Sequence, residues 1–182
     1  MLDEKALARA MTAEWKTGGY IVGRFVLDGE DMIVLIGQGW QLACEAQCLP
    51  RKCLGLIVEH CGELPKETAM RCMKAGEQVT MLDMIKGVYQ DLLQLRTDAE
   101  GCMMQSGVAI NGYRVWQDAD TWELRVMNPE YTGICDLSDG NADAEMVKGG
   151  ILFTEDMSTL FVRKEASEDW KHVLQQLKKV RI

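Results

Sequence analysis

Apolar residues recur three or four apart at Leu7, Ala10, Met11 and Trp15, with charged residues between them. That spacing predicts a helix over 3–16, with Asp3 as N-cap and Gly18-Gly19 as its stop. The period then changes. Three strand-like runs follow, at Tyr20–Leu27, 32–36 and 40–46, parted by Asp28-Gly29-Glu30-Asp31 and Gly37-Gln38-Gly39. Short glycine-containing turns of this kind suit an antiparallel meander. Pro50 pre-sets φ for the first turn of a helix that runs to Cys61 and stops at Gly62, burying Cys53, Leu54, Ile57, Val58 and Cys61.

A short strand at 68–74 precedes a longer helix. Thr80-Met81-Leu82-Asp83 has the capping-box pattern, and Met81, Ile85, Val88, Leu92 and Leu95 repeat at helical spacing. Leu82, Met84, Tyr89 and Leu93 widen the apolar arc, which predicts packing on more than one side. Asn111-Gly112 is a strong hairpin signal between strands at 108–110 and 113–117. A third strand at 122–127 ends at Asn128-Pro129, and 136–145 reads as an exposed acidic loop. Strands at 151–154 and 160–164 lead to a helix from Ser167 with the stripe Trp170, Val173, Leu174, Leu177 and Val180. Its early Glu168 and Asp169, and late Lys178, Lys179 and Arg181, complement the helix dipole. Strand–turn–strand–helix runs at 32–61 and again at 151–180, with negligible identity between the two.

The pattern predicts an α+β fold of antiparallel sheets with about four helices. It divides into two β-hairpin–helix subdomains, an N-terminal one at 1–97 and an acidic C-terminal one at 98–182. One compact domain fits the same pattern.

Composition narrows the chemistry. At 182 residues, 47% hydrophobic and 26% charged, the chain has an ordinary globular balance and enough length for a real core. The charged start Met1-Leu2-Asp3-Glu4-Lys5 is unlike a signal peptide, no apolar run nears the ~20 residues that span a bilayer, and Lys179-Val180-Arg181-Ile182 carries no lipidation motif. A soluble, cytoplasmic protein without membrane contact is expected. Seven cysteines, an odd number, then read as buried thiols.

Two histidines leave little room for catalysis. His60 and Cys61 are adjacent on a helix and point apart, and His172 sits among charges on the last helix. There is no Gly-x-Ser-x-Gly, His-Glu-x-x-His or phosphate-binding loop, and Gly37-Gln38-Gly39 lacks a third glycine. Of Cys44, Cys48, Cys53 and Cys61, only the first two have zinc-like spacing. Around Gly140 the first and third EF-hand ligand positions would be Cys135 and Leu137, which excludes that loop. Glu14-Trp15-Lys16 resembles a nuclease fragment but lies on an amphipathic helix. No enzyme, metal or cofactor is expected.

Charge is the feature that stands out. The net charge is −8, against any grip on bare phosphate backbone. Residues 97–146 hold ten acids and two bases, while the other 132 residues balance at 18 of each, so this segment carries the whole net charge. Its aromatics are interleaved with the acids. Asp118, Asp120, Glu123, Asp136, Asp139, Asp143 and Glu145, with Trp116 and Trp122, form the candidate surface for a basic partner, steered by charge and anchored by the indoles. The alternative is that the strand aromatics fill the core and the acids only keep the chain dissolved.

Three stretches carry a family resemblance: 19–29 (Gly-Tyr-Ile-Val-Gly-Arg-Phe-Val-Leu-Asp-Gly), 40–48 and 151–161 (Ile-Leu-Phe-Thr-Glu-Asp-Met-Ser-Thr-Leu-Phe). Over its length the chain resembles a type II-A anti-CRISPR protein, a Cas9 inhibitor from phages or mobile elements of gut Firmicutes. These inhibitors share no common motif, so no functional residue carries over. The resemblance implies a non-enzymatic inhibitor that binds Cas9 or the Cas9–guide RNA complex and blocks target DNA binding or cleavage, by DNA mimicry if the acidic surface takes the place of a strand. An acidic accessory protein of a phage or mobile element, binding another basic partner, is the other expectation.

Overall fold

β1 (Tyr20–Leu27) shows how the sequence builds the molecule: Tyr20 and Val22 face one core, Phe25 the other. β2 (Glu30–Ile36) and β3 (Trp40–Glu45) alternate in the same way, with Ile33, Leu35, Leu42 and Cys44 on the first side and Val34 and Ala43 on the second. A strand apolar on both faces needs a cover on each. The computed structural model, which describes residues 2–138, 142–155, 157–180 and 182, and only the backbone of 77–79, supplies both.

The chain is α+β with antiparallel sheets. The larger sheet has eight strands in the order β5-β4-β1-β2-β3-β11-β10-β9. The remaining five are β4 (Thr68–Met73), β5 (Gly76–Thr80), β9 (Asp143–Val147), β10 (Gly150–Glu155) and β11 (Ser158–Arg163). α1 (Glu4–Thr17) and α2 (Arg51–Cys61) cover one face. α3 (Leu82–Thr97) crosses the other, where Gly23 lets Ile85 close on β1: a β-carbon there would sit 2.5 Å from the Ile85 side chain. The three-stranded sheet, β6 (Met103–Ile110), β7 (Tyr113–Asp118) and β8 (Leu124–Met127), turns Trp116 onto Phe153 of the main sheet, edge to face at 5.5 Å. Its other face, Val115 and Val126, packs under Trp170 and α5 (Lys171–Leu177). The short α4 (Pro129–Thr132) starts at Asn128, whose side chain accepts from the Glu130 N–H.

The main sheet takes strands from both sides of residue 97, since β11 pairs with β3 through Leu160 and Leu42. The two hairpins of the strand–turn–strand–helix runs therefore lie side by side.

Several expectations change. Thr80 closes β5, paired with Ala69, so Met81 takes the N-cap position of α3 without a side-chain cap bond. The strand expected at 122–127 begins at Leu124, and the helix expected from Ser167 opens as a 3-10 turn at Glu168–Trp170. Residues 143–145 of the expected acidic loop belong to β9, because the backbone of β10 offers them a ladder. Asp139, Gly140 and Asn141 of that loop, and Arg181 of the last helix, lie outside the described residues.

The thiol expectation also gives way at one pair. Cys61, ending α2, forms a disulfide with Cys72 of β4. Beside it His60 is buried, stacked on Trp15 with ring centres 4.4 Å apart, its Nδ1 3.1 Å from the Tyr20 hydroxyl. Burial pulls the His60 pKa below its usual value against an opposing pull from Glu59. Burial pushes the Cys44 and Cys53 thiols up to about 12, so both stay protonated at neutral pH.

Candidate functional site

Of the eight candidate residues the structure describes, two lie in the interior. Trp116 is 1% exposed in the core, and Asp118 is 0% exposed. Both leave the candidate surface, Trp116 because the main sheet covers that face of β7 and Asp118 because its own turn and Gly101 close over it.

Asp118 has a different task. Its Oδ1 accepts from the Thr121 hydroxyl and Thr121 N–H, each at 2.6 Å, and from the Asp120 N–H at 3.2 Å. The Asp118 carbonyl takes the Trp122 N–H at 3.1 Å, and its own N–H donates to Glu123 O at 2.8 Å. Burial raises its pKa, and the bonds from Thr121, Asp120 and Cys102 overcome that and hold it below the usual carboxylate value. Gly101, at φ +72°, packs against the carboxylate where a β-carbon would collide with Oδ2. The β7–β8 turn is thus closed around one buried charge.

What this turn displays is Asp120, exposed, and Trp122, 39% exposed at φ +59°. A positive φ is an outlier for a bulky side chain, retained here by the bonds around Asp118. Glu123 is half-buried and paired with Arg125. Asp143 is exposed and Glu145 half-buried on β9, at the border of the main sheet, where Glu145 Oε2 lies 3.4 Å from the Thr154 hydroxyl.

The segment after α3 ties these places together. Glu100 exchanges two backbone hydrogen bonds with Met146 of β9, at 3.0 and 3.1 Å, and Cys102 O accepts from Ala119 N–H at 2.9 Å. These backbone links join β9, which carries Asp143 and Glu145, to the β7–β8 turn, which carries Asp120 and Glu123, with Asp98 and Glu100 on the segment between; this run is the acidic edge. Asp98 and Glu100, both exposed, were counted in the acidic segment but not singled out; only the pairing with β9 places them there. Asp136 stands elsewhere, after Cys135, whose backbone bridges Leu2 at the start of α1. It is exposed, and hydrogen bonds from the Ser138 side chain and from the Ser138 N–H, the latter at 2.9 Å, lower its pKa. Asp139 lies outside the described residues.

Among the described residues no three His, Cys, Asp or Glu side chains converge as a metal centre. Among them, too, no helix is long and apolar enough to cross a membrane.

No protein-family model matches the chain, and no curated protein matches it in sequence. Solved structures with a related arrangement include a chain described as a DNA polymerase III beta subunit from Eubacterium rectale, at TM-score 0.44 and 9% identity over 93% of this chain and 66% of that one. The DNA polymerase III beta sliding clamp of Bartonella birtlesii gives TM-score 0.39 and 8% identity over 100% and 67%. The DNA polymerase beta subunit of Streptococcus pyogenes gives 0.38 and 8% over 95% and 66%. This chain thus spans about two thirds of their length. None of the three supplies an argument about what this chain binds.

Proposed function

We propose that this chain is a non-enzymatic inhibitor that binds guide-loaded Cas9 through its acidic edge and so blocks target DNA binding or cleavage. The observation that carries the reading is the gathering of Asp98, Glu100, Asp120, Glu123, Asp143 and Glu145 along one edge, beside the exposed indole of Trp122. Cas9 holds nucleic acid in positively charged channels and reads its adjacent motif with arginines. Carboxylates fixed on a folded edge suit such groups, since Arg–carboxylate bonds are charge-assisted and two-pronged like Arg–phosphate bonds. The partner's identity comes from the resemblance. Its three stretches form β1, β3 with the turn after it, and β10–β11, all in the main sheet, so they speak for the fold and the acidic edge speaks for the contact.

The test is DNA cleavage by guide-loaded Cas9 with and without the purified protein, across a salt series. Inhibition that weakens as salt rises, with potency cut at least tenfold by Asp120→Lys, Asp143→Lys and Glu145→Lys together, is expected. No inhibition at excess protein removes Cas9 as the partner. Full potency in the reversed variant removes the edge.

A further inference from the structure

Two strands across the main sheet from Asp143, in the row Ala43–Thr159–Thr154–Asp143, a groove of about 240 Å³ opens between α3 and the ends of the β1–β2 and β10–β11 hairpins. Tyr89, Leu93 at 37% exposed and Met157 at 44% give it an apolar wall, beside the hydroxyl-bearing Ser158 and Thr159. Met32 and Ala43 make the floor. Tyr89 packs edge to face on Phe25 at 5.7 Å, which braces one wall of the groove, and Met157 adds an unbranched side chain of the kind that adapts to a partner's shape. Three carboxylates, Asp28, Glu30 and Glu45, stand around it, and Arg96 is the one base among the described residues that line it. None of these acids belongs to the segment that holds the net charge. The sequence balance hid them, because distant lysines and arginines cancel them in any count along the chain.

We propose that this groove is a second docking site, which takes a basic protein segment that inserts a large apolar side chain between Tyr89, Leu93 and Met157. The volume is below the roughly 300–1,000 Å³ typical of small-molecule sites, and suits one or two inserted side chains. Charge complementarity selects the flanks: lysines or arginines beside the inserted group meet Asp28, Glu30 and Glu45, while an acidic segment is repelled. The proposal goes beyond the acidic-edge reading and does not depend on it, since the two surfaces share no residue.

The probe is a labelled amphipathic helical peptide of leucine and lysine, about 14 residues long, followed by fluorescence anisotropy. Saturable binding is expected, at least tenfold weaker to the Leu93→Asp, Met157→Asp variant and to the Glu30→Lys, Glu45→Lys variant. Asp120→Lys, at the far end of the acidic edge in the β7–β8 turn, should change it less than twofold. A leucine–glutamate peptide of the same pattern should not bind. Leu93 and Met157 are surface residues, so the variants should keep the wild-type circular dichroism and melting curve, recorded alongside. Equal binding by all variants, or binding lost only with the edge variant, overturns the site. So does equal binding of the acidic peptide. Self-association in sedimentation that the groove variants abolish would assign the groove to a second copy of this chain, and would also overturn the proposal.

Discussion

Asp118 and Trp122 divide one turn between stability and display. The buried carboxylate gathers the Thr121 hydroxyl and two backbone N–H groups, and those bonds hold Trp122 at its positive φ. Losing a buried, charged acceptor strands its donors, so Asp118→Ala should cost about 3 kcal/mol in chemical denaturation. The same group sets a pH dependence. Its folded pKa lies below the ordinary 3.8, so the unfolded chain binds the proton more readily as the pH falls. The stabilisation is complete above that ordinary value and is lost as pH drops through the folded one. Asp118→Asn should therefore flatten the acid limb of the stability curve. An unchanged limb would mean that the carboxylate is not ionised in the turn.

At the scale of elements, the disulfide between Cys61 and Cys72 ties the end of α2 to β4 across 11 residues of sequence. Closing a loop of that size restricts the unfolded chain by about 3 kcal/mol. Reduction, or Cys72→Ala, should lower the unfolding free energy by about that amount, read from denaturant titrations with and without a thiol reductant. A titration unmoved by reductant would show that the two sulfurs are not bonded in solution. The sequence offered no warning of this pair, since an odd count of seven cysteines favours thiols and spacing cannot choose a partner. Elements with one clear signal were legible: α1 and α2 from their stripes, β1 to β3 from their apolar runs and the glycine turns between them, the β6–β7 hairpin from Asn111-Gly112. β9 was not, because Asp143 and Glu145 follow a run of loop-forming residues and only pairing with β10 makes them a strand. Trp116 and Asp118 were misread for a related reason. Both faces of β7 are covered, so alternation along it does not separate core from surface.

For the molecule as a whole, the question is why ten acids sit in the 50 residues from 97 to 146. If they served only to keep the protein dissolved, spreading them would serve better, since like charges on one edge repel one another and destabilise the folded state. The fold instead brings together carboxylates that the chain keeps apart, Asp98 and Glu100 beside Asp143 and Glu145, by pairing Glu100 with Met146. Neutralising Glu100 and Asp143 to Gln and Asn should then raise the melting temperature, by an amount equivalent to a few tenths of a kcal/mol for each exposed charge. The gain should shrink between about 0.01 M and 1 M salt, as the screening length falls from roughly 30 to 3 Å. The same variant should inhibit less if the edge is a contact surface. Stability and potency moving in opposite directions would be the signature of a surface held against its own repulsion for a partner. If both substitutions lower stability at every salt concentration, the acids are already balanced within the fold and the edge has no surplus charge to offer.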